Sequence, residues 1–226
     1  MSNQISRESL PLALLANLVA PGLANDGQDV PVAGQVSSLT STNNFINFCA
    51  GKTITNGQQV TGGSCNPIPL GDIIPKANMP KCKFANPVNG ATIAANTPFQ
   101  VQMNIQNMQA GVFTNAQKTY YMAPQQLNGQ GILIGHTHFV IQAMGNFADP
   151  NILDAATFAF FKGVNTAAQN GQLTADVTAG LPAGNYRLAS INTSSNHAPA
   201  VAAVAQHGLL DDMVYVSFFQ TWFEFV

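Results

Sequence analysis

All four histidines of the 226-residue chain lie in its second half, as Gly135-His136-Thr137-His138, Asn196-His197-Ala198-Pro199 and Gln206-His207-Gly208, with Asp211-Asp212 close behind. Imidazole changes charge near neutrality, so it is the side chain best suited to bind transition metals and move protons at physiological pH. Residues two apart on a strand share a face. His136 and His138 are therefore expected about 6 to 7 Å apart at their Cα atoms, a spacing that suits adjacent ligands of one metal. His197 and His207 flank a strand expected over residues 200–205 (AVAAVA), which would bring one of them, or Asp211 or Asp212, to complete a three- or four-ligand site. The ligand set is then His136 and His138 with His197, His207 or Asp212. Imidazole with carboxylate favours zinc or copper, with iron or nickel next, over calcium. The competing reading is structural: histidine pairs also hydrogen-bond across sheets and tie down loops, and the residues alone leave both readings open.

Other chemistry is weaker. Ser190, Ser194 and Ser195 stand near His197, with Asp211 as an available acid, but no G-x-S-x-G elbow accompanies them. No phosphate-cradling loop or dinucleotide fingerprint occurs, so no nucleotide cofactor is expected. Glycoside hydrolysis needs two carboxylates straddling a sugar, and the ten acidic residues are scattered. Tyr120, Tyr121 and Trp222 have faces that suit sugar rings, although packing is the commoner fate of such residues. Asn192-Thr193-Ser194 is a glycosylation sequon.

The elements that must position these residues follow from composition and periodicity. The chain is 46% apolar and only 8% charged, with 8 basic against 10 acidic side chains for a formal net charge of −2. A nucleic-acid binder would show a basic face, a disordered chain would be poor in apolar residues, and a coiled coil would need charged heptads. Nineteen glycines and thirteen prolines mark a turn-rich β protein. Alternation over Phe99-Gln-Val-Gln-Met-Asn-Ile-Gln, broken at Asn107, predicts a half-buried strand; GILIGHTHFVIQAM predicts an inner one. QLTADV, LPAGNYRLASIN and MVYVSFF add further strands, so the expected fold is mainly β, an immunoglobulin-like antiparallel β-sandwich. One helix is expected near 151–170, opened by Asp149-Pro150 and closed near Gly171, with Leu153, Thr157, Phe160, Phe161, Val164 and Ala168 on one side.

Residues 1–24 have a short polar start with Arg7, an apolar stretch from Leu10 to Ala20, and small residues to Ala24, the layout of a secretory signal peptide. The apolar stretch is too short to span a bilayer. Residues 25–83 read as a loop-rich lead-in packed on a sandwich core of residues 84–226. Of the three cysteines, Cys49 and Cys65 are the expected disulfide, closing a Gly/Thr/Asn-rich loop and adding about 3 kcal/mol by the chain-entropy estimate. Cys82 is left as the spare thiol between Lys81 and Lys83, which could lower its pKa.

Long stretches of the chain, among them TSTNNFINFC, GGSCNPIPLGDIIPKANMPKCKF, YYMAPQQLNGQGILIGHTHFVIQ and LTADVTAGLPAGNYRLASINTSSNHAPAVAAVAQHGLLDDMVY, closely resemble a group of secreted basidiomycete proteins often mislabelled as a small-subunit ribosomal protein. The ribosomal label does not suit so uncharged a chain. That group is in turn similar to fungal secreted proteins induced during appressorium formation and linked to host penetration, which share the GHxH strand and later histidines. A looser likeness is to a bacterial extracytoplasmic immunoglobulin-like domain. It picks out Gly135, His136, His138, Leu181, Pro182, Gly184, His197 and Pro199. The resemblance implies secretion, a β-sandwich and a binding or effector-like, virulence-associated role at a cell-wall glycan or host surface; it supplies no reaction. Three functional readings stand: such a binding protein with a metal-holding histidine cluster, a metal-dependent extracellular enzyme, and a metal-free carbohydrate-binding or structural protein.

Overall fold

The computed structural model describes residues 14–25, 29, 40–58, 66–116, 120–121 and 123–220. The chain divides into two compact units, Met1–Thr55 with Thr61–Pro67 and Asn56–Val60 with Ile68–Val226. In the first, two short 3-10 turns, Ala16–Leu18 and Pro21–Ala24, are bound to the segment around residue 44. The Asn44 side chain accepts from the Ala20 amide at 2.9 Å and donates to the Leu18 carbonyl at 2.6 Å, and the Ser41 amide donates to Leu23. Lys52 places its ammonium 3.7 Å from the centre of the Phe48 ring. Cys49 is buried; Cys65, and with it the expected bridge, lies outside the described residues.

Among the described residues the second unit holds nine strands: β1 (Lys81–Asn86), β2 (Thr92–Ala94), β3 (Phe99–Gln106), β4 (Met108–Gln109), β5 (Leu133–Met144), β6 (Phe160–Val164), β7 (Gln172–Val177), β8 (Gly184–Ser194) and β9 (Met213–Phe219). They form a three-stranded antiparallel sheet, β1-β3-β7, and a six-stranded sheet, β2-β9-β8-β5-β4, with β6 also paired to β5. The second sheet is mixed, because β2 runs parallel to β9 and β4 parallel to β5. Alternation decides which residues the sheets share. Val101, Met103 and Ile105 of β3, Leu173 and Val177 of β7, Phe139 and Ile141 of β5, Leu188 of β8 and Val214 and Val216 of β9 are all buried in one core. The mainly β sandwich expected from the strand patterns is the fold observed.

Two elements depart from expectation. The helix expected near 151–170 does not form. Asp149 and Asp154 turn residues 149–157 locally, their carboxylates accepting from the Asn151 and Ala156 amides, and the chain then extends as β6 along β5. Phe160 and Val164 sit opposite Ile141 and Thr137, so the spacing that reads as a helical stripe also places alternate residues on one strand face. Pairing to a strand edge supplies backbone hydrogen bonds that a lone helix of Phe, Gly and Asn residues could not match in packing. The AVAAVA strand is likewise absent, reduced to one bridge between Ile74 and Ala202. Among the described residues no helix is long and apolar enough to cross a membrane.

Phe139 is fully buried, its ring 5.5 Å from that of Phe84 across the core. Truncation to alanine is expected to lower unfolding free energy by about 3–5 kcal/mol in urea titrations. Ile191, 41% exposed on the other face of the same sheet, should tolerate threonine within about 0.5 kcal/mol.

Candidate metal centre

On β5, Phe139 and Ile141 face the core, so His136 and His138 face away from it, on the outer side of the six-stranded sheet. Across β8 they stand opposite Thr193 and Ile191, and on the other edge His138 stands opposite Gly163 of β6. An outer face is normally wet, yet His136 is only 1% exposed. The cover is the segment after β4. The Val112 amide donates to the Gly135 carbonyl, the Thr114 amide donates to Ser195, and the Phe113 ring lies 6.2 Å from that of His136.

The third histidine arrives from the turn that ends β8. The His197 amide donates to the Ser194 carbonyl at 3.0 Å, and His197 itself has φ +71°, a left-handed conformation that a residue with a Cβ adopts at a cost. That turn swings the ring over the strand pair: its centroid is 4.7 Å from His136 and 6.2 Å from His138. One nitrogen from each of the three rings lies within 4.8 Å of the others. His136 Nε2 and His197 Nδ1 are 3.1 Å apart, close to the roughly 3.3 Å that separates two nitrogens on a tetrahedral zinc ion.

The His197 ring is also held from behind by a backbone carbonyl. Its Nε2–H donates to Thr114 O at 2.9 Å, which leaves Nδ1 as the lone pair turned toward the cluster. The Thr193 hydroxyl lies 3.4 Å from the ring nitrogens of His136. Metal-binding histidines are oriented in this way, one N–H tied to a carbonyl and the other nitrogen free to ligate. Burial pushes the His136 imidazole down to about 4, with the neighbouring His138 and His197 adding to the effect and the Val112 carbonyl opposing it. His138 is lowered by burial first and by His197 second. Neutral imidazole is the ligating form.

The other expected ligands are not in this group. His207 is exposed, and its Nδ1–H donates to the carbonyl of Gly208. Asp212 accepts from the Phe84 amide at 2.7 Å and lies 3.5 Å from Lys83 Nζ. Asp211 accepts from Ser190 Oγ and the Asn192 amide, and burial raises its pKa. These carboxylates serve the junction of β8 and β1 because they face the inner side of the sheet. Cys82 is a free thiol, as expected of the spare cysteine, and its lysine neighbours do not lower its pKa. Its free thiol is raised by burial, with Asp211 and Asp212 adding to the shift, and it lies against Leu210 O and Asn192. Asn192 of the sequon is 3% exposed and faces inward, out of reach of a glycan in the folded chain. Ser194 Oγ is buried without a hydrogen-bond partner, so the described residues hold no serine–histidine pair.

The cluster opens on a cleft of about 440 Å³ lined by Phe113, Asn115, Phe161, Gly163 and Asn165 beside the three rings. Tyr120 stacks on Tyr121 at 4.0 Å and on His197 at 5.9 Å, and its hydroxyl is pushed up to about 12 by burial and by Tyr121. Trp222 lies outside the described residues. The covering segment carries no sequence signal, since the Thr114 carbonyl it offers to His197 belongs to every residue type.

Two outcomes are expected for the metal-free protein. In the unfolded chain His136 takes up a proton near pH 6.5, in the folded chain only near 4, so between those values the unfolded state binds more protons. Stability, followed as the urea midpoint, should therefore fall as pH is lowered from 6.5 to 4, and His136→Gln should flatten that slope. A Cβ at Gly135 would stand 1.9 Å from the Thr193 carbonyl oxygen. Gly135→Ala must push β5 from β8 beneath His136, and is expected to lower stability by about 1–3 kcal/mol in the same assay.

The geometry can be set beside known proteins. The family model for the CLU5d N-terminal domain matches residues 82–218, which run from β1 to β9 and contain all three clustered histidines. The chain is also 48% identical over 203 residues to "Pathogenicity cluster 5 protein d" of Colletotrichum graminicola, a match covering 89% of this chain and 42% of that protein. The chain thus spans less than half the length of that relative. With the whole sandwich inside the matched region, the chain belongs to the CLU5d N-terminal domain family.

Proposed function

We propose that this chain is a secreted, virulence-associated fungal domain that acts at the cell wall or host surface, and that its three-histidine cluster holds one transition-metal ion, zinc or copper. The observation that carries the metal reading is the set of three rings, each offering one nitrogen within 4.8 Å of its neighbours, with His197 tied by its other nitrogen to the Thr114 carbonyl. Three neutral nitrogen donors without a carboxylate suit zinc or copper and suit magnesium or calcium poorly. The virulence reading rests on the name of the Colletotrichum relative, of which this chain covers 42%, and the secretion reading on the apolar N-terminal stretch and the expected Cys49–Cys65 bridge. A glycan or host-surface partner is the ligand class that this setting supplies. The cleft beside the rings favours a metal-dependent enzyme as second reading, since a catalytic metal needs room for substrate.

Zinc and copper titrations by calorimetry, on protein purified without a histidine tag, test the metal reading. One equivalent is expected to bind wild-type protein and His207→Ala alike, and none to bind His136→Ala/His138→Ala. Wild-type protein that takes up neither metal overturns the metal reading and leaves a hydrogen-bonded structural cluster.

A further inference from the structure

The three nitrogens are the only ligand group of their kind among the described residues, and no carboxylate, thiolate or fourth imidazole joins them. Zinc or copper held there would lack a fourth protein ligand, whereas structural zinc sites close all four positions with side chains. The open side is not blocked by the fold. His138 and His197 are half-buried rather than sealed, and the cleft lies against all three rings.

Gly163 keeps that cleft open. It stands opposite His138 on the same face of the β5–β6 pair. A Cβ there would make only ordinary contacts, 3.6 Å from His138 Cδ2 and 3.4 Å from Asn165 Oδ1, so backbone crowding does not demand glycine. A longer side chain would project over the rings. The flanking walls are the exposed rings of Phe113 and Phe161, the latter with its centroid 5.1 Å from that of His138, and none of the described residues lining the cleft is a carboxylate, lysine or arginine.

We infer that the metal centre is an open one, with its remaining coordination position turned into the Gly163 cleft, where a water is exchanged for a small exogenous oxygen- or nitrogen-donor ligand. This rests on the metal reading above. It places the centre with those that reach a substrate or ligand, and it makes the part-aromatic cleft the selector of what reaches the ion.

Cobalt(II) is the probe, because its visible absorption reports coordination number and ligand exchange at nitrogen-rich sites. Wild-type protein loaded with one equivalent is titrated with azide, alongside Gly163→Ala and Gly163→Leu. A saturable spectral shift is expected in wild type and Gly163→Ala, and its loss in Gly163→Leu with cobalt uptake retained. Uptake of cobalt with a spectrum that azide leaves unchanged means a closed site, which overturns this inference and spares the metal reading. Failure of the wild-type protein to take up cobalt overturns both. A Gly163→Leu protein that responds to azide as wild type does overturns the assignment of the cleft as the entry path.

Discussion

The long antiparallel pairing of β5 with β8, in register from Gly135–Ser194 to Met144–Asn185, is the constraint on which the rest of the molecule depends. It lets one strand serve two purposes. Period-two alternation turns Phe139 and Ile141 into the core while His136 and His138 stand on the opposite face. A register slip of one residue would bury imidazoles in the core and expose the phenylalanine. The pairing also needs close approach at its histidine end, where Gly135 lies under the Thr193 carbonyl with no space for a methyl group.

The chemistry of the site comes from what is laid over that pair. A sheet face left to solvent would keep both imidazoles near their ordinary pKa. Here the segment around Val112 and Thr114 covers His136, and its Thr114 carbonyl orients the ring of His197. Burial then disfavours the charged form of His136 and His138 and favours the neutral imidazole that ligates a metal. The left-handed turn at His197 is tolerated because its ring is held on both sides, by Thr114 and by His136. The covering segment thus supplies orientation and desolvation together, while convergence comes from the alternation of β5 and the turn at His197.

Much of the sandwich was legible along the chain. The alternation of Phe99–Gln106 gave β3 its buried face, QLTADV and MVYVSFF coincide with β7 and β9, and the break at Asn107 falls where the backbone takes a positive φ. Phe160–Val164 reads as helix because Phe160 and Val164, four residues apart, satisfy both periods, and only the free edge of β5 decides between them. The site was legible in half. His136 and His138 announce themselves by spacing, and His197 was one of several candidates. His207 and Asp212 were drawn in by nearness along the chain, but Asp212 serves the other side of the sheet and His207 stays in solvent.

Short-range pattern therefore determined the strands, the shared face of the two strand histidines and the uncharged character of the chain, because alternation and side-chain chemistry act over neighbouring residues. Tertiary structure alone decided that His197 completes the cluster, that the Thr114 carbonyl holds its ring, and that Gly163 leaves a cleft beside the histidines. Those relations join segments dozens of residues apart through a backbone carbonyl and an empty space, and neither has a residue type by which a sequence could disclose it.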